Sequence, residues 1–239
     1  MNRLSDGFIG IQLELVERHV ALGLGSWGSG IGRLTNLRRR LGLSDDGHES
    51  TWQSLLRDAD DLAALDPIAA RLGAARDELP APTPEHLRHG WPTCGAFSIQ
   101  VEGDAARTHF FATDEDDLSP LHPSKLALRQ AELDEVLSRV RADTPDLRRV
   151  IGGSWLYSLP SYAGLFPAAH LAGARVRRGR DRFNGMSHWG QLVDHRGDLS
   201  PARASAFRTR LAAWTGGDLC DVFPTPTLDL DSPIGVFDD

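Results

Sequence analysis

The chain has 239 residues, 41% of them hydrophobic, and a formal net charge of −7 at pH 7. That length holds one large domain or two small ones with a sizeable core. The acidic balance lacks the basic field that a phosphate backbone demands, which excludes nucleic acid as a general partner, and no apolar run approaches the roughly 18 residues that span a bilayer, which excludes a membrane partner.

From the N-terminus, Phe8–Leu24 is apolar but broken by Gln12, Glu14, Glu17 and Arg18, so neither a signal peptide nor a membrane helix fits. The expected location is cytoplasmic. Helical spacing recurs in Ile9, Leu13, Val16 and Val20, then in Ile31, Leu34, Leu37 and Leu41. Gly23, Gly25 and Gly28 match G-x-G-x-x-G, but a dinucleotide loop needs a preceding strand. The preceding segment here reads as helix, so a helix–helix connection is expected. Trp52, Leu55, Leu56, Ala59, Leu62 and Ala63 form another stripe. Asp66-Pro67 reads as an N-cap and first helical residue, opening a helix with Ile68, Leu72, Ala75 and Leu79 buried. Pro80, Pro82 and Pro84 mark the boundary between a helical region, 1–82, and a sheet region, 83–239. The helical stripes need the sheet as a partner, so the two are expected to form one folding unit. Arg88-His89-Gly90 spells the tripeptide of histidine phosphatases, here after a proline-rich turn instead of a first strand, and is read as coincidence.

Residues 95–111 predict a β-hairpin. Phe97, Ile99 and Val101 alternate with Ser98, Gln100 and Glu102, and Gly103-Asp104 suits a two-residue turn. That register pairs Phe97 with Phe110, Ile99 with Thr108, Val101 with Ala106, Ser98 with His109 and Gln100 with Arg107. An acidic loop, Asp114–Asp117, leads to Pro123 and a helix burying Leu126, Leu133, Val136, Leu137 and Val140. Strands are expected around Val150–Tyr157, Ala174–Val176 and Gly185–Val193, a helix from Ser200-Pro201, and an extended tail after Gly217. The fold class is therefore α+β, a helical N-terminal layer packed on a mixed β-sheet.

Cys94 and Cys220 have no metal-like spacing and read as free thiols. Lys125 is the sole lysine, so any Schiff base would have to form there. The excess of arginine over lysine matches a GC-rich bacterial genome. Arg175, Arg177, Arg178, Arg180 and Arg182 are either a solvated strand end or an anion site, with Arg175 and Arg177 the cofactor-binding candidates. Gly152–Tyr162 places small residues beside large aromatics, which either admits a ligand close to the backbone or marks a bulge. Ser154 lacks the spacing of a nucleophile elbow. Asn184–His195 gathers His188, Trp189, Gln191, Asp194 and His195, but strand parity separates His188 and Asp194 from His195, so no metal site is expected.

Gly152–Tyr157, Leu165–Pro167 and Trp189–Gln191 together resemble a family of uncharacterised bacterial proteins sharing G-G-S-W-L-Y, L-F-P and W-G-Q segments. The order His109–Phe111, Ser119–Leu121, Leu126–Val140 and Ser154–Leu156 is similar to the C-terminal half of GCN5-related N-acyltransferase-like proteins, over less than half of the chain. That resemblance implies an acyltransferase-like sheet and an acyl-CoA cofactor. The chain departs from it before Pro123, where no glycine-rich pyrophosphate loop stands and four acidic residues do.

The expectation is a small-molecule-binding protein or enzyme. Its pocket would gather the polar hairpin face, Gly152–Tyr157 and His188–Gln191. His109 is the general-base candidate, or else a cross-strand partner of Ser98, and Tyr157 is the second catalytic candidate. Ser154, Tyr162, His188, Trp189, Gln191 and Asp194 are the substrate-binding candidates. The alternative is a non-catalytic immunity, adaptor or biosynthetic accessory protein. Its acidic loop and its tail, Asp229–Asp239, would then meet a basic protein partner.

Overall fold

The computed structural model describes residues 4–44, 46–79, 90–111, 114 and 116–238. The prolines at 80, 82 and 84 and the Arg88-His89 pair lie outside them. The chain forms two compact units, Thr83–Arg177 with Pro226–Asp239, and Asn2–Pro82 with Arg178–Thr225. Each has its own apolar core. No described helix is long and apolar enough to cross a membrane.

The helical unit contains α1 (Asp6–Ala21), α2 (Trp27–Leu34), α3 (Leu37–Arg40), α4 (Glu49–Leu62) and α5 (Leu65–Glu78). The run from Ile31 to Leu41 is one apolar stripe on two helices, broken at Thr35 and Asn36, where Gln12 accepts the Asn36 amide proton at 2.8 Å. The glycine motif lies between α1 and α2, and the Gly28 amide donates to Asp60 at 2.7 Å, so the protein's own carboxylate sits at that helix start. Helix α5 begins at Leu65 with Ala64 as its N-cap, which corrects the Asp66 assignment by two residues. Acidic Asp66 remains in the first turn, where the helix dipole favours it.

The sheet unit carries a six-stranded mixed sheet in the order β1-β2-β3-β4-β6-β5. Its strands are β1 (Thr93–Cys94), β2 (Phe97–Glu102), β3 (Ala105–Phe110), β4 (Arg149–Ser154), β5 (Arg175–Val176) and β6 (Leu228–Pro233). The β2–β3 register is the one its alternation predicts, from Phe97 opposite Phe110 to Val101 opposite Ala106. Gly103 takes φ +61°, the left-handed conformation that the turn requires. Strands β3 and β4 are parallel, and α6 (Leu126–Asp143) connects them. Leu133, Val136, Leu137 and Val140 of α6 are buried with Phe97, Ile99, Ala106 and Val150. The C-terminal tail does more than extend, because β6 inserts between β4 and β5 and pairs antiparallel with both. Two one-turn helices follow β4, α7 (Pro160–Ala163) and α8 (Ala168–Leu171).

Residues 178–225 build the helical unit with the N-terminal helices. They include α9 (Met186–Trp189) and α10 (Pro201–Ala213). The strand expected over Gly185–Val193 is instead α9 followed by a 3₁₀ turn, Gly190–Leu192. Period-2 alternation is too short a signal to separate a strand from one helical turn here.

Candidate functional site

Pairing between the parallel strands β3 and β4 covers only Ala105–Arg107 with Arg149–Ile151. Beyond it β3 continues through Thr108, His109 and Phe110, and β4 through Gly152, Gly153 and Ser154. The β3 arm stays paired with β2 and the β4 arm stays paired with β6. The result is a fork with two fixed arms, between which the β3–β4 register ends at Arg107 and Ile151 among the described residues. Where two parallel strands part in this way, an extended ligand can add between them as a strand.

Both faces of the β4 arm are covered by large side chains of this unit. A Cβ on Gly152 would fall on the Tyr157 hydroxyl, and a Cβ on Gly153 would fall on the Arg177 guanidinium. The small residues thus admit a close approach, as the sequence suggested, but the approaching groups belong to the chain itself. Tyr157 shares a hydrogen bond with Thr108 across the fork at 3.0 Å. Burial pushes the Tyr157 phenol up to about 12, with the Thr108 bond opposing it. Burial likewise holds Tyr162 well above its ordinary value. Both are therefore neutral hydrogen-bonding groups at physiological pH. The Tyr157 and Tyr162 rings meet edge to face at 5.1 Å. Ser154 accepts the Leu156 amide proton at 3.2 Å and starts the turn that delivers Tyr157 to the fork.

On the opposite face His109 stacks on Trp91, with ring centroids 4.3 Å apart, and its Nε2 lies 3.2 Å from Gln100 Oε1. That partner is the diagonal residue. Ser98, directly opposite His109, is buried and bonded to Thr93 at 2.8 Å. Arg177 makes a two-nitrogen ion pair with Asp229, and Arg175 is exposed opposite Asp229 on β5. Arg177 is thus already neutralised by a carboxylate of its own unit.

His188, Trp189, Gln191 and Asp194 lie in the helical unit. His188 is buried, 4.8 Å from Phe183 and 5.1 Å from Phe223 between ring centroids. The fully buried Trp189 donates its indole proton to Leu34 O at 3.1 Å. Gln191 is also fully buried, donating to Thr225 O at 3.1 Å and accepting the Thr225 amide proton at 2.7 Å. Asp194 accepts the amide protons of Arg196 and Asp198, at 2.8 and 3.0 Å, and closes a turn. The strand expected to present His188 and Gln191 to a substrate is not what the chain forms.

The acidic segments are matched internally. Asp114 pairs with Lys125 at 3.0 Å and with buried Arg129 at 2.5 Å, and Asp116 pairs with Lys125 at 2.5 Å. Burial alone would raise the Asp114 carboxyl, but Arg129 and Lys125 hold it below its ordinary value. Arg129 also bonds Glu132 at 2.6 Å, and Glu132 accepts the Ala96 amide proton at 3.0 Å. In the tail, Asp229, Asp231 and Asp238 pair with Arg177, Arg149 and Arg141.

Thr108 of the fork was missed from sequence, and Arg177 was named only as an anion-binding candidate. Thr108 had a signal, being the one hydroxyl on the hairpin face that also carries Phe97, Ile99, Ala106 and Phe110. Arg177 over Gly153 had none, because its partner Asp229 is 52 residues away. No family model, curated protein or solved structure matches this chain.

Proposed function

We propose that the sheet unit is a small-molecule-binding fold of the acyltransferase type, and that the β3–β4 fork receives the amide-bearing arm of an acyl-CoA. The fork carries this reading. Two fixed arms that part beyond Arg107 and Ile151 suit a chain that presents amide donors and acceptors at strand-like intervals. The order strand, polar loop, helix, strand, on which the resemblance rests, runs here from β3 through α6 to β4. The acidic loop before α6 is less hostile to a pyrophosphate than its composition implies, since Asp114 and Asp116 already face Lys125 and Arg129. His109 and Tyr157 lie on opposite faces beside the fork, as groups able to exchange or donate a proton to the ligand.

The test is calorimetric titration of the full chain with acetyl-CoA, a long-chain acyl-CoA and free CoA, with hydrogen exchange read on residues 108–110 and 152–154. Saturable binding with new protection at both arms is expected. Silence across all three compounds overturns the reading. Transfer to an acceptor is read separately, by release of free thiol.

A further inference from the structure

His170 on α8 is fully buried in the sheet unit, on the side of β6 that carries Ser232. Its Nδ1 lies 2.7 Å from Ser232 Oγ. Its ring stacks on Phe166 at 5.4 Å, meets Phe237 edge-on at 5.2 Å and lies 6.1 Å from Tyr157, all between centroids. Its Nε2 is buried with no hydrogen-bond partner. With Nδ1–H donating to Ser232, Nε2 is a bare lone pair, which is tolerable in an apolar setting. Protonation would turn the same atom into a cationic donor with no acceptor, and burying an unpaired charge is far more costly than burying a lone pair. The surrounding rings offer only about 0.5–2 kcal/mol of cation–π attraction against that.

The charged and titratable groups on neighbouring elements do not rescue the cation. Asp231 on β6 pairs with Arg149 at 2.6 Å, and its attraction for an imidazolium is outweighed by the burial of the ring. Asp238, beyond the C-terminal turn Ile234–Phe237, pairs with Arg141. Tyr157 and Tyr162 stay neutral. Helix α8 carries no other ionisable residue.

We propose that His170 is a proton-operated latch: on taking up a proton, α8 and the turn Ile234–Phe237 leave β6 while the β2–β3 hairpin and α6 stay folded. The hairpin keeps its own ladder, and Leu171, Ile234 and Phe237 are only partly buried at the margin of the core it shares with α6, so a local opening does not require the hairpin and α6 to unfold. The direction of the linkage follows from burial, which depresses the imidazole from 6.5 to about 4. Above pH 6.5 both open and closed forms are neutral and the latch is shut. Between 6.5 and 4 only the open form binds the proton, so opening grows as pH falls. The carboxylates of Asp114, Asp116 and Asp238 are held below their ordinary values and titrate beneath this window.

Hydrogen exchange of the full chain from pH 7.4 down to about 4.5, corrected for intrinsic rates, reads the latch directly. Peptides spanning 166–173 and 234–238 should lose protection by up to about tenfold per pH unit below 6.5, while those spanning 97–110 and 126–143 hold theirs. His170→Gln should flatten that dependence. Uniform loss across the sheet unit, or none, overturns the proposal. Should His170→Gln fail to fold, imidazole carbon shifts of the wild-type chain decide. A His170 signal that titrates near 6.5 with the fold intact also overturns it. His19 in the helical unit is itself lowered by burial, so peptides of that unit do not serve as the reference.

Discussion

In the sheet unit, Tyr157 and Arg177 approach two consecutive glycines closely, beside a fork where β3 and β4 stop pairing. In the helical unit, the side chains that looked equally functional are saturated: Trp189 by Leu34, and Gln191 by both polar groups of Thr225. Both units bury polar groups beside aromatics. They differ in what remains to be satisfied. A segment whose donors and acceptors already meet inside the chain has nothing to offer a ligand. A pair of strands held apart by their outer neighbours still does. Local composition therefore says little about a site until the partners are known.

The largest effect that separates the units is expected at Trp189. Its indole is fully buried among Phe8, Phe207 and Phe223, and Trp189→Ala should cost about 3–5 kcal/mol in urea unfolding monitored by circular dichroism. Gln191→Ala strands the Thr225 amide and carbonyl and should cost about 1–3 kcal/mol. Neither should change the response to acyl-CoA of protein that remains folded. A Gln191→Ala protein of unchanged stability would break the contrast.

The next effect lies at the fork. Gly152→Ala places a methyl group on the Tyr157 hydroxyl, on a strand paired on its outer side, where neither partner yields easily. A loss of about 1–3 kcal/mol is expected, in the range of overpacked cores. Gly32→Ala is the matched control, since its Cβ would meet only Leu56 Cδ1 at 3.5 Å. It should be neutral or stabilising, because alanine is the better helix former by about 1 kcal/mol. Equal losses at both sites would mean that close approach at Gly152 has no special consequence.

How much of this was legible in the sequence depends on the range of the interactions. The β2–β3 hairpin was, to the residue, because alternation and a Gly-first turn fix register locally. Helix α6 was, because Leu133, Val136, Leu137 and Val140 hold one face over many turns. The fork was not, since it is set by where β4 stops pairing with β3 and by β6, which arrives 74 residues after Ser154 and inserts beside it at Leu228. The Gly152-Gly153 pair signalled close approach correctly but could not say what approaches. The segment Gly185–Val193 was misread as a strand because its alternation is too short to exclude a helical turn. Gly185 instead precedes the first turn of α9 and Gly190 follows its last, so both punctuate a helix.

The smallest effect, and the sharpest, is a change of sign at Tyr157. Tyr157→Phe keeps the ring over Gly152 and removes the hydroxyl that bonds Thr108, so it should lower stability at pH 7 by about 1 kcal/mol. On the alkaline side the order should reverse. Burial raises the phenol from 10.0 to about 12, so the unfolded chain gives up its proton first as pH rises through that interval. The wild-type contribution is intact below pH 10 and falls by about 2 kcal/mol by pH 12, whereas phenylalanine has no proton to lose. Urea unfolding of both proteins at pH 7 and near pH 11.5 should therefore give curves that exchange places, and Tyr162, whose phenol Tyr157 helps to raise, is raised less in the variant, which acts in the same direction. A variant that stays less stable than wild type at both pH values would show that the Tyr157 hydroxyl is not buried at the fork. The same pair of proteins, titrated with acetyl-CoA at pH 7, separates a hydroxyl that only closes the fork from one that also meets its ligand. Unchanged affinity assigns it the first role, and a tenfold loss, about 1.4 kcal/mol, the second.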